Sequence, residues 1–271
     1  MPTSADLFAP DNLIAWCIVP YDSVQRAPHA RITMLKRLGF AQYAYDWREQ
    51  HLDSLAEEIH ASLEEGVHMA AVWMWFDKDH DAPGKLSANN QRMLNILKAS
   101  GLRTQLWLGF NSNYLDGQDD AAKVQQAADA VRYLRQETAD FITGIGLYNH
   151  GDWFGEPEHQ IQIIKALADP AVGIVYNWHH AHPHLDRFAA LFDVLRPYLW
   201  AVNLNGMRSA GPKILSIGSG DDDLTLLRTL VDSGFQGNVG VLGHIEEEDA
   251  EVVLSRNLNG LRQLAHELRK V

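Results

Sequence analysis

The stretch Gly173–Arg187 reads GIVYNWHHAHPHLDR and joins a short apolar run to a dense group of polar side chains. Gly173–Tyr176 is apolar and β-branched, which is typical of a strand buried on both faces. Five polar residues follow at the point where that strand should end: Asn177, His179, His180, His182 and His184. Because functional side chains of α/β folds lie at the carboxyl ends of parallel strands, this stretch predicts a strand that ends at a functional site.

The same change from apolar to polar residues occurs at three other places in the chain. They are IGLYNHGDW at Ile145–Trp153, AVNLNGM at Ala201–Met207 and VGVLGHIEEED at Val239–Asp249. Segments long enough for a helix separate the four stretches. A ring of parallel strands would bring all four endings to one mouth, so the repetition favours a barrel.

The whole chain alternates between strand-like and helix-like segments. Four strands are predicted before those already described, at Leu13–Val19, Ala41–Tyr45, Met69–Phe76 and Thr104–Phe110. With 271 residues the chain has the length of one barrel, which typically needs about 250. We therefore predict an α/β fold, a (β/α)8 TIM barrel, as a single domain over residues 1–271. An open doubly wound sheet is the alternative, but no GxGxxG motif follows the first strand.

The overall charge and the apolar runs argue against several classes of partner. Lys and Arg number 23 against 35 Asp and Glu, a net charge of −12, which disfavours nucleic acid. Cys17 is the only cysteine, so no intrachain disulfide can form. Apolar runs are far shorter than the ~20 residues of a membrane span, and no signal-peptide pattern precedes the first strand. We expect a cytoplasmic protein without a membrane or nucleic-acid partner.

Several longer motifs carry a resemblance to a known group of proteins. They are NLIAWCIVPYD at Asn12–Asp22, LKRLGF and YDWR within Leu35–Arg48, YNHGDWFGEP at Tyr148–Pro157, YNWHHAH at Tyr176–His182, NLNGM at Asn203–Met207 and GHIEEEDAE at Gly243–Glu251. On these motifs the chain resembles the xylose isomerase-like TIM barrels, the superfamily of sugar phosphate isomerases and epimerases that also holds endonuclease IV. The motifs are most similar to a bacterial branch of it, and the resemblance covers nearly the whole chain.

The resemblance implies a divalent metal held by carboxylates and histidines at strand ends five to eight. At those positions this chain has Tyr148, Asn177, His180, Asn203, Asn205 and either Gly243 or His244, and only His180 keeps the expected type. Amides in place of carboxylates remove the charge that holds Mg²⁺ or Mn²⁺. A three-nitrogen site for Zn²⁺ stays open as the alternative, with His150, His180 and His244 as candidate ligands. The cofactor is therefore either none or a divalent metal (Zn, Mn or Mg).

The candidate site residues follow from their positions at the strand ends. Catalytic candidates are His150, His180, His179 and Glu156, with a capped or solvated loop as the alternative for each. Candidates for substrate binding are Trp16, Asp46, Arg48, Trp75, Trp107, Asn149, Asn177, Asn203, Asn205 and Lys213. Indoles can pack on sugar faces, an arginine can hold a carboxylate or phosphate, and amides can donate to hydroxyls and to a developing oxyanion.

The resemblance implies an enzyme that acts on a sugar or sugar derivative. The leading hypothesis is an isomerase or epimerase that removes a proton next to a carbonyl and passes through an enediolate. A lyase or hydrolase of keto-sugars begins with the same enolisation and is the first alternative. A barrel that binds carbohydrate without catalysis is the second. We expect a small-molecule carbohydrate as the partner, and the sequence is also compatible with a homo-oligomer.

Overall fold

A computed structural model describes residues 7–270 and shows a closed barrel of eight parallel strands in sequence order. The strands are β1 (Leu13–Trp16), β2 (Gln42–Tyr45), β3 (His68–Phe76), β4 (Thr104–Phe110), β5 (Ile142–Tyr148), β6 (Val172–Asn177), β7 (Leu199–Leu204) and β8 (Asn238–Leu242). The last strand pairs with the first, from Leu13 opposite Val239 to Trp16 opposite Leu242. This closure confirms the predicted (β/α)8 TIM barrel.

Helices follow the strands and cover the outside of the barrel. Those of the described chain are α1 (Pro28–Leu38), α2 (Leu55–Glu65), α3 (Ala88–Ser100), α4 (Asp120–Thr138), α5 (Asp152–Gly155), α6 (Pro157–Leu167), α7 (Phe188–Leu195), α8 (Asp223–Asp232) and α9 (Ala250–Leu268). Gly39, Gly66 and Gly101 end the first three in the left-handed conformation, as glycine after a helix commonly does. Within residues 7–270, no helix combines the length and the apolar character needed to traverse a bilayer.

Alternate residues of each strand face either the barrel interior or the helices. Every strand contributes to the interior cluster, which contains Ile14, Trp16, Ala44, Ala71, Trp107, Tyr148, Val175, Ala201 and Leu242. The intervening residues, such as Leu147 and Tyr176, belong to the larger cluster between the sheet and the helices. This alternation decides which polar residues beyond each strand point into the mouth.

The first strand is shorter than the apolar run Leu13–Val19 predicts. Cys17 has φ 54°, the left-handed conformation that a residue with a side chain rarely adopts, so the strand ends at Trp16. The next two backbone N–H groups, of Ile18 and Val19, donate to Asp46 Oδ1 at 3.3 and 3.1 Å. A buried carboxylate thus replaces the strand partner at this point.

Glycines inside the barrel leave room for indole rings. At the amino-terminal end, a Cβ on Gly144 or Gly173 would lie 2.5 or 2.3 Å from ring atoms of Trp200, so this indole fills that end. Deeper in the barrel, a Cβ on Gly146 would lie 2.6 Å from Val175 Cγ2 and 3.2 Å from Trp107. The interior is therefore a packed core, and only the carboxyl end of the barrel is left for a site.

We expect Gly146→Ala to lower the free energy of unfolding by about 1–3 kcal/mol, because the added methyl overpacks a buried region that cannot expand. Urea unfolding followed by circular dichroism measures the change. Gly155→Ala is the matched control, since its Cβ would be 3.4 Å from the nearest atom, an ordinary contact. Equal stability of Gly146→Ala and the wild type would contradict this packing.

Candidate active site

Four imidazoles come together where β5, β6 and β8 end. His150 follows β5, His179 and His180 follow β6, and His244 follows β8. The ring centroids are 4.4 Å apart for His150 and His180, 3.8 Å for His179 and His180, and 5.8 Å for His179 and His244. We call these four residues the histidine cluster. The predicted catalytic histidines thus lie side by side, although His150 and His180 are 30 residues apart in the sequence.

Burial and nearby positive charge keep the histidine cluster neutral. Desolvation is the largest cause in each case; it lowers the pKa of His150 and of His244 to about 4 and that of His180 to about 2. The pKa of His179, which is only 4% exposed, is also lowered well below its usual value. All four rings are therefore unprotonated at pH 7 and can accept a proton.

Several ring nitrogens of this region lack a partner. His179 Nδ1, His180 Nε2 and His244 Nδ1 are buried without a hydrogen bond to any described residue. Buried polar atoms in folded proteins are nearly always paired with protein, water or a ligand. At the open end of the barrel these nitrogens are available to bond with water or with a polar ligand.

Trp73 and Trp75 form an aromatic wall beside His150. The Trp75 ring meets the His150 ring edge to face at 4.7 Å, and the two indoles are 5.2 Å apart. Trp75 can take this position because Gly109 lies below it, where a Cβ would be 2.2 Å from the ring. The indole N–H of Trp75 donates to Asn111 Oδ1. Both rings are partly exposed, so this wall is accessible to a sugar face.

Trp16 and Trp107, by contrast, lie inside the barrel. Each is only 1% exposed, and their rings pack edge to face at 5.0 Å. The N–H of Trp16 donates to Tyr148 Oη at 3.0 Å, and that of Trp107 donates to Gln105 Oε1 at 3.2 Å. The prediction that these two indoles contact substrate is thus corrected. They are buried in the barrel interior below the site, because their positions in β1 and β4 lie further from the carboxyl end of the barrel than the histidine cluster does.

The predicted asparagines form a row of hydrogen bonds across the ends of β5, β6 and β7. Asn177 Nδ2 donates to Asn149 Oδ1 at 2.9 Å, and Asn203 Nδ2 donates to Asn177 Oδ1 at 2.6 Å. Asn205 Nδ2 donates to the carbonyl of Gly206 at 2.8 Å. The atoms left without a partner are the oxygens of Asn203 and Asn205. The unpaired atoms of this row are thus acceptor oxygens, and the predicted role of the amides as donors to a substrate stays a prediction.

Asp46 and Arg48 both lie near the mouth but form no ion pair with each other. Arg48 donates to the carbonyls of Asp46 and Trp47 and to Tyr21 Oη, at 3.3, 2.9 and 2.9 Å. Its guanidinium also lies over the ring of Trp73, 5.1 Å from the centroid. Asp46 is 1% exposed, and burial raises the pKa of its carboxyl to about 7. Asp46 thus supports the end of β1, while Arg48 remains a cation facing two aromatic rings.

Two further predicted residues, Lys213 and Glu156, lie in different parts of the barrel. Lys213, exposed in the loop after β7, is close enough to lower the pKa of every histidine in the cluster. Glu156 is bound instead to Arg187 at 3.2 Å and to His184 at 3.3 Å, and His184 contacts the outward-facing Tyr176. Glu156 therefore belongs to the helix side of the barrel, because Tyr176 points away from the mouth. Its predicted catalytic role is corrected to a structural one.

Tyr21 and Asn111 also lie at the site, although neither is among the site residues predicted from the sequence. Tyr21 stacks on His244 with ring centroids 3.7 Å apart and accepts a hydrogen bond from Arg48. Tyr21 comes directly after Pro20, where the chain leaves β1, and Asn111 directly after β4. The signal for both was the same as for the histidines, a polar residue just beyond a strand end.

The donor set does not fit the metal that the resemblance implies. Across residues 7–270, no three His, Cys, Asp or Glu side chains meet in a group that could hold an ion. His244 packs face to face on Tyr21, and His150 packs against Trp75, so the rings of the proposed three-nitrogen set contact aromatic neighbours. The amides of Asn177 and Asn203 bond to each other. The strand ends of this chain therefore do not reproduce the metal site that the resemblance implies.

Comparisons with known proteins give structural matches only, since no family model and no curated protein matches the sequence. The 3-keto-D-glucoside 4-epimerase of E. coli has a TM-score of 0.70 at 17% identity, over 93% of this chain and 99% of that chain. An IolI protein with a bound zinc atom has 0.69 at 9%, over 95% and 99%. A xylose isomerase domain protein from Alicyclobacillus acidocaldarius has 0.63 at 15%, over 95% and 99%.

These likenesses concern the fold, since sequence identity is low throughout. They show that the chain has the fold of the xylose isomerase-like TIM barrels. The resemblance drawn from the sequence motifs is confirmed at that level.

Asp46→Asn should change how stability depends on pH. The folded-state pKa of about 7 lies above the ordinary value of 3.8, so between these values the folded protein binds the proton more tightly than the unfolded chain. The wild type should therefore lose stability relative to Asp46→Asn as pH rises, by about 1.4 kcal/mol for each pH unit. Urea unfolding of both proteins at pH 5, 6 and 7 measures the difference.

Because the histidines are present in both proteins, their opposite contribution cancels in this comparison. A difference in unfolding free energy that stays constant from pH 5 to 7 would show that Asp46 titrates normally.

Proposed function

We propose that this protein is a sugar isomerase or epimerase that removes a proton next to a carbonyl and passes through an enediolate. The observation that carries the proposal is the histidine cluster itself. It is a set of neutral imidazoles with unpartnered nitrogens, set between an aromatic wall and two cations. Neutral imidazoles accept protons, aromatic rings pack on sugars, and cations stabilise oxyanions.

His150 and His180 are the proton-transfer pair of this proposal. His150 is the more exposed ring and lies against Trp75, while His180 lies 4.4 Å behind it. One imidazole takes the proton from the carbon, and the electron pair of that C–H bond moves to form the enediolate oxyanion. Returning the proton to the former carbonyl carbon gives isomerisation, provided that the enediol hydroxyl proton passes from one oxygen to the other. Delivery of a proton to the original carbon from the opposite face, by the second imidazole, gives epimerisation. The anion formed beside the ring raises the affinity of the imidazole for the proton it has taken.

Arg48 and Lys213 supply the positive charge that an enediolate needs. Neither forms an ion pair with a carboxylate of residues 7–270, although fifteen other pairs are present. Their charge is therefore not neutralised by a carboxylate of the described residues, although the chain as a whole carries −12. Arg48 is held by its hydrogen bonds to two carbonyls and to Tyr21, so it can stabilise a developing oxyanion without having to reorganise, and the exposed Lys213 adds a second positive charge.

Two further features support a carbohydrate as the substrate. The oxygens of Asn203 and Asn205 remain free to accept hydrogen bonds from hydroxyl groups. The structural match to a 3-keto-D-glucoside 4-epimerase adds a protein of the same fold whose substrate is a keto-sugar. Elimination from a keto-glycoside is the second candidate, since the same enediolate can expel a group from the next carbon; release of an aglycone in place of an epimer would identify it.

His150→Gln should slow proton exchange at the substrate carbon by about 100-fold to 10,000-fold, the usual contribution of a general base. The measurement is NMR of deuterium incorporation from D₂O into a panel of ketoses and 3-keto-glucosides. His266→Gln is the matched control, because this histidine is exposed on α9, away from the mouth. Exchange at the wild-type rate in His150→Gln would remove this residue from the mechanism.

Arg48→Met should lower kcat and kcat/KM together by about 100-fold to 1,000-fold, because it removes a charge that acts in the transition state. Steady-state kinetics on the substrate that the deuterium-exchange assay identifies measures both parameters, and Arg92→Met, exposed on α3, is the control.

The wild type should keep its activity after treatment with a chelator. Loss of activity on chelation and its return with a divalent ion would contradict charge stabilisation by these cations.

A further inference from the structure

A cavity lies close to the histidine cluster, between the chain segments that follow β4 and β5. Its volume is about 260 Å³, and its lining includes Phe110, Asn111, Asp116, Lys123, Gly151 and Trp153. Complete sites for small molecules usually measure about 300–1,000 Å³. A cavity of this size is therefore better suited to one part of a ligand than to a whole one.

Two residues join this cavity to the histidine cluster. Asn111 lines the cavity and accepts the indole hydrogen bond of Trp75, whose ring contacts His150. Gly151 lines it as well and directly follows His150 in the chain. A ligand held against Trp75 can thus extend into the cavity without leaving the protein surface.

The backbone between the two spaces has an unusual conformation. Gly151 has φ 105° and is followed by Asp152 with φ 53°, so two successive residues adopt positive φ. A positive φ is strained in an aspartate, and such strain is often found where a backbone serves a binding site. Through this turn the chain after His150 becomes part of the cavity wall, which Gly151, Asp152 and Trp153 line.

The chemistry of the lining suits a neutral polar ring. Trp153 is held in place because its ring stacks on His159 at 4.1 Å and its N–H donates to Asp120 Oδ1 at 2.8 Å. Phe110 and Phe154 supply apolar surface. The charged lining residues are Asp116, Asp152 and Lys123, two acids against one base. An anionic group such as a phosphate is disfavoured there, whereas hydroxyls can bond to the carboxylates. The amide of Asn111 is already bonded to Trp75 and Asp77, which fixes its position in the cavity wall.

We infer that this cavity is a subsite for a second sugar ring, so that the substrate of the histidine cluster is a glycoside. The inference rests on the proposed function for the first ring, which lies against Trp75 and reaches His150. The second ring occupies the space between Asn111 and Trp153. The glycosidic bond then lies at the turn formed by Gly151 and Asp152.

Ligand-observed NMR titrations with glucose, cellobiose and maltose test the subsite without any need for turnover. We expect the wild type to bind at least one disaccharide about ten-fold more tightly than glucose, the gain from roughly 1.4 kcal/mol of added contacts. Ser112→Trp, which places an indole in the cavity, should abolish this advantage. The double substitution Lys123→Ala with Asp116→Ala should reduce it, and this milder change keeps the test valid if Ser112→Trp fails to fold.

Lys165→Ala, on the exposed side of α6, is the control and should bind as the wild type does. The subsite is refuted if no disaccharide binds better than glucose, or if its advantage survives in the cavity variants. Failure of the proposed function gives a different result: proton exchange is then absent while the disaccharide advantage and its sensitivity to Ser112→Trp remain.

Discussion

The pairing of β8 with β1 is the constraint on which the rest of the molecule depends. Closing eight parallel strands into a ring places every carboxyl end on the same rim, and the pleat then decides which side chain of each strand points inward. His150, His179 and His244 come from three strands far apart in sequence, and only closure makes them neighbours. The packed interior of Trp16 and Trp107 supports them from below.

The site concentrates polar groups that the fold alone leaves unsatisfied. Ring nitrogens of the histidine cluster and the oxygens of Asn203 and Asn205 are buried without partners among the described residues, which is unfavourable unless water or a ligand bonds to them. The amide row uses the remaining groups of Asn149, Asn177 and Asn203 to hold three strand ends in register. A rigid frame with unfilled hydrogen-bonding atoms is what a preorganised site for a polyhydroxylated ligand requires.

The fold could be read from the sequence because each strand and helix carries its own local signal. Apolar runs, helical spacing and terminal glycines placed the elements close to their observed bounds, and the shortening of β1 was missed because it arises from Cys17 and the distant Asp46. The site was only partly predictable. A polar residue beyond a strand end marks the mouth, but whether its side chain faces inward depends on the register of the strand, which the sequence does not give. For this reason the sequence did not predict that Glu156 lies on the helix side of β6, or that Trp16 is buried in the barrel interior.

The amino-terminal end of the barrel has one more consequence. Trp200 fills it across Gly144 and Gly173, and the rings above it leave no channel through the middle. Any ligand of the histidine cluster must therefore enter and leave through the carboxyl end of the barrel. In the enzyme that we propose, the product therefore leaves by the route through which the substrate enters.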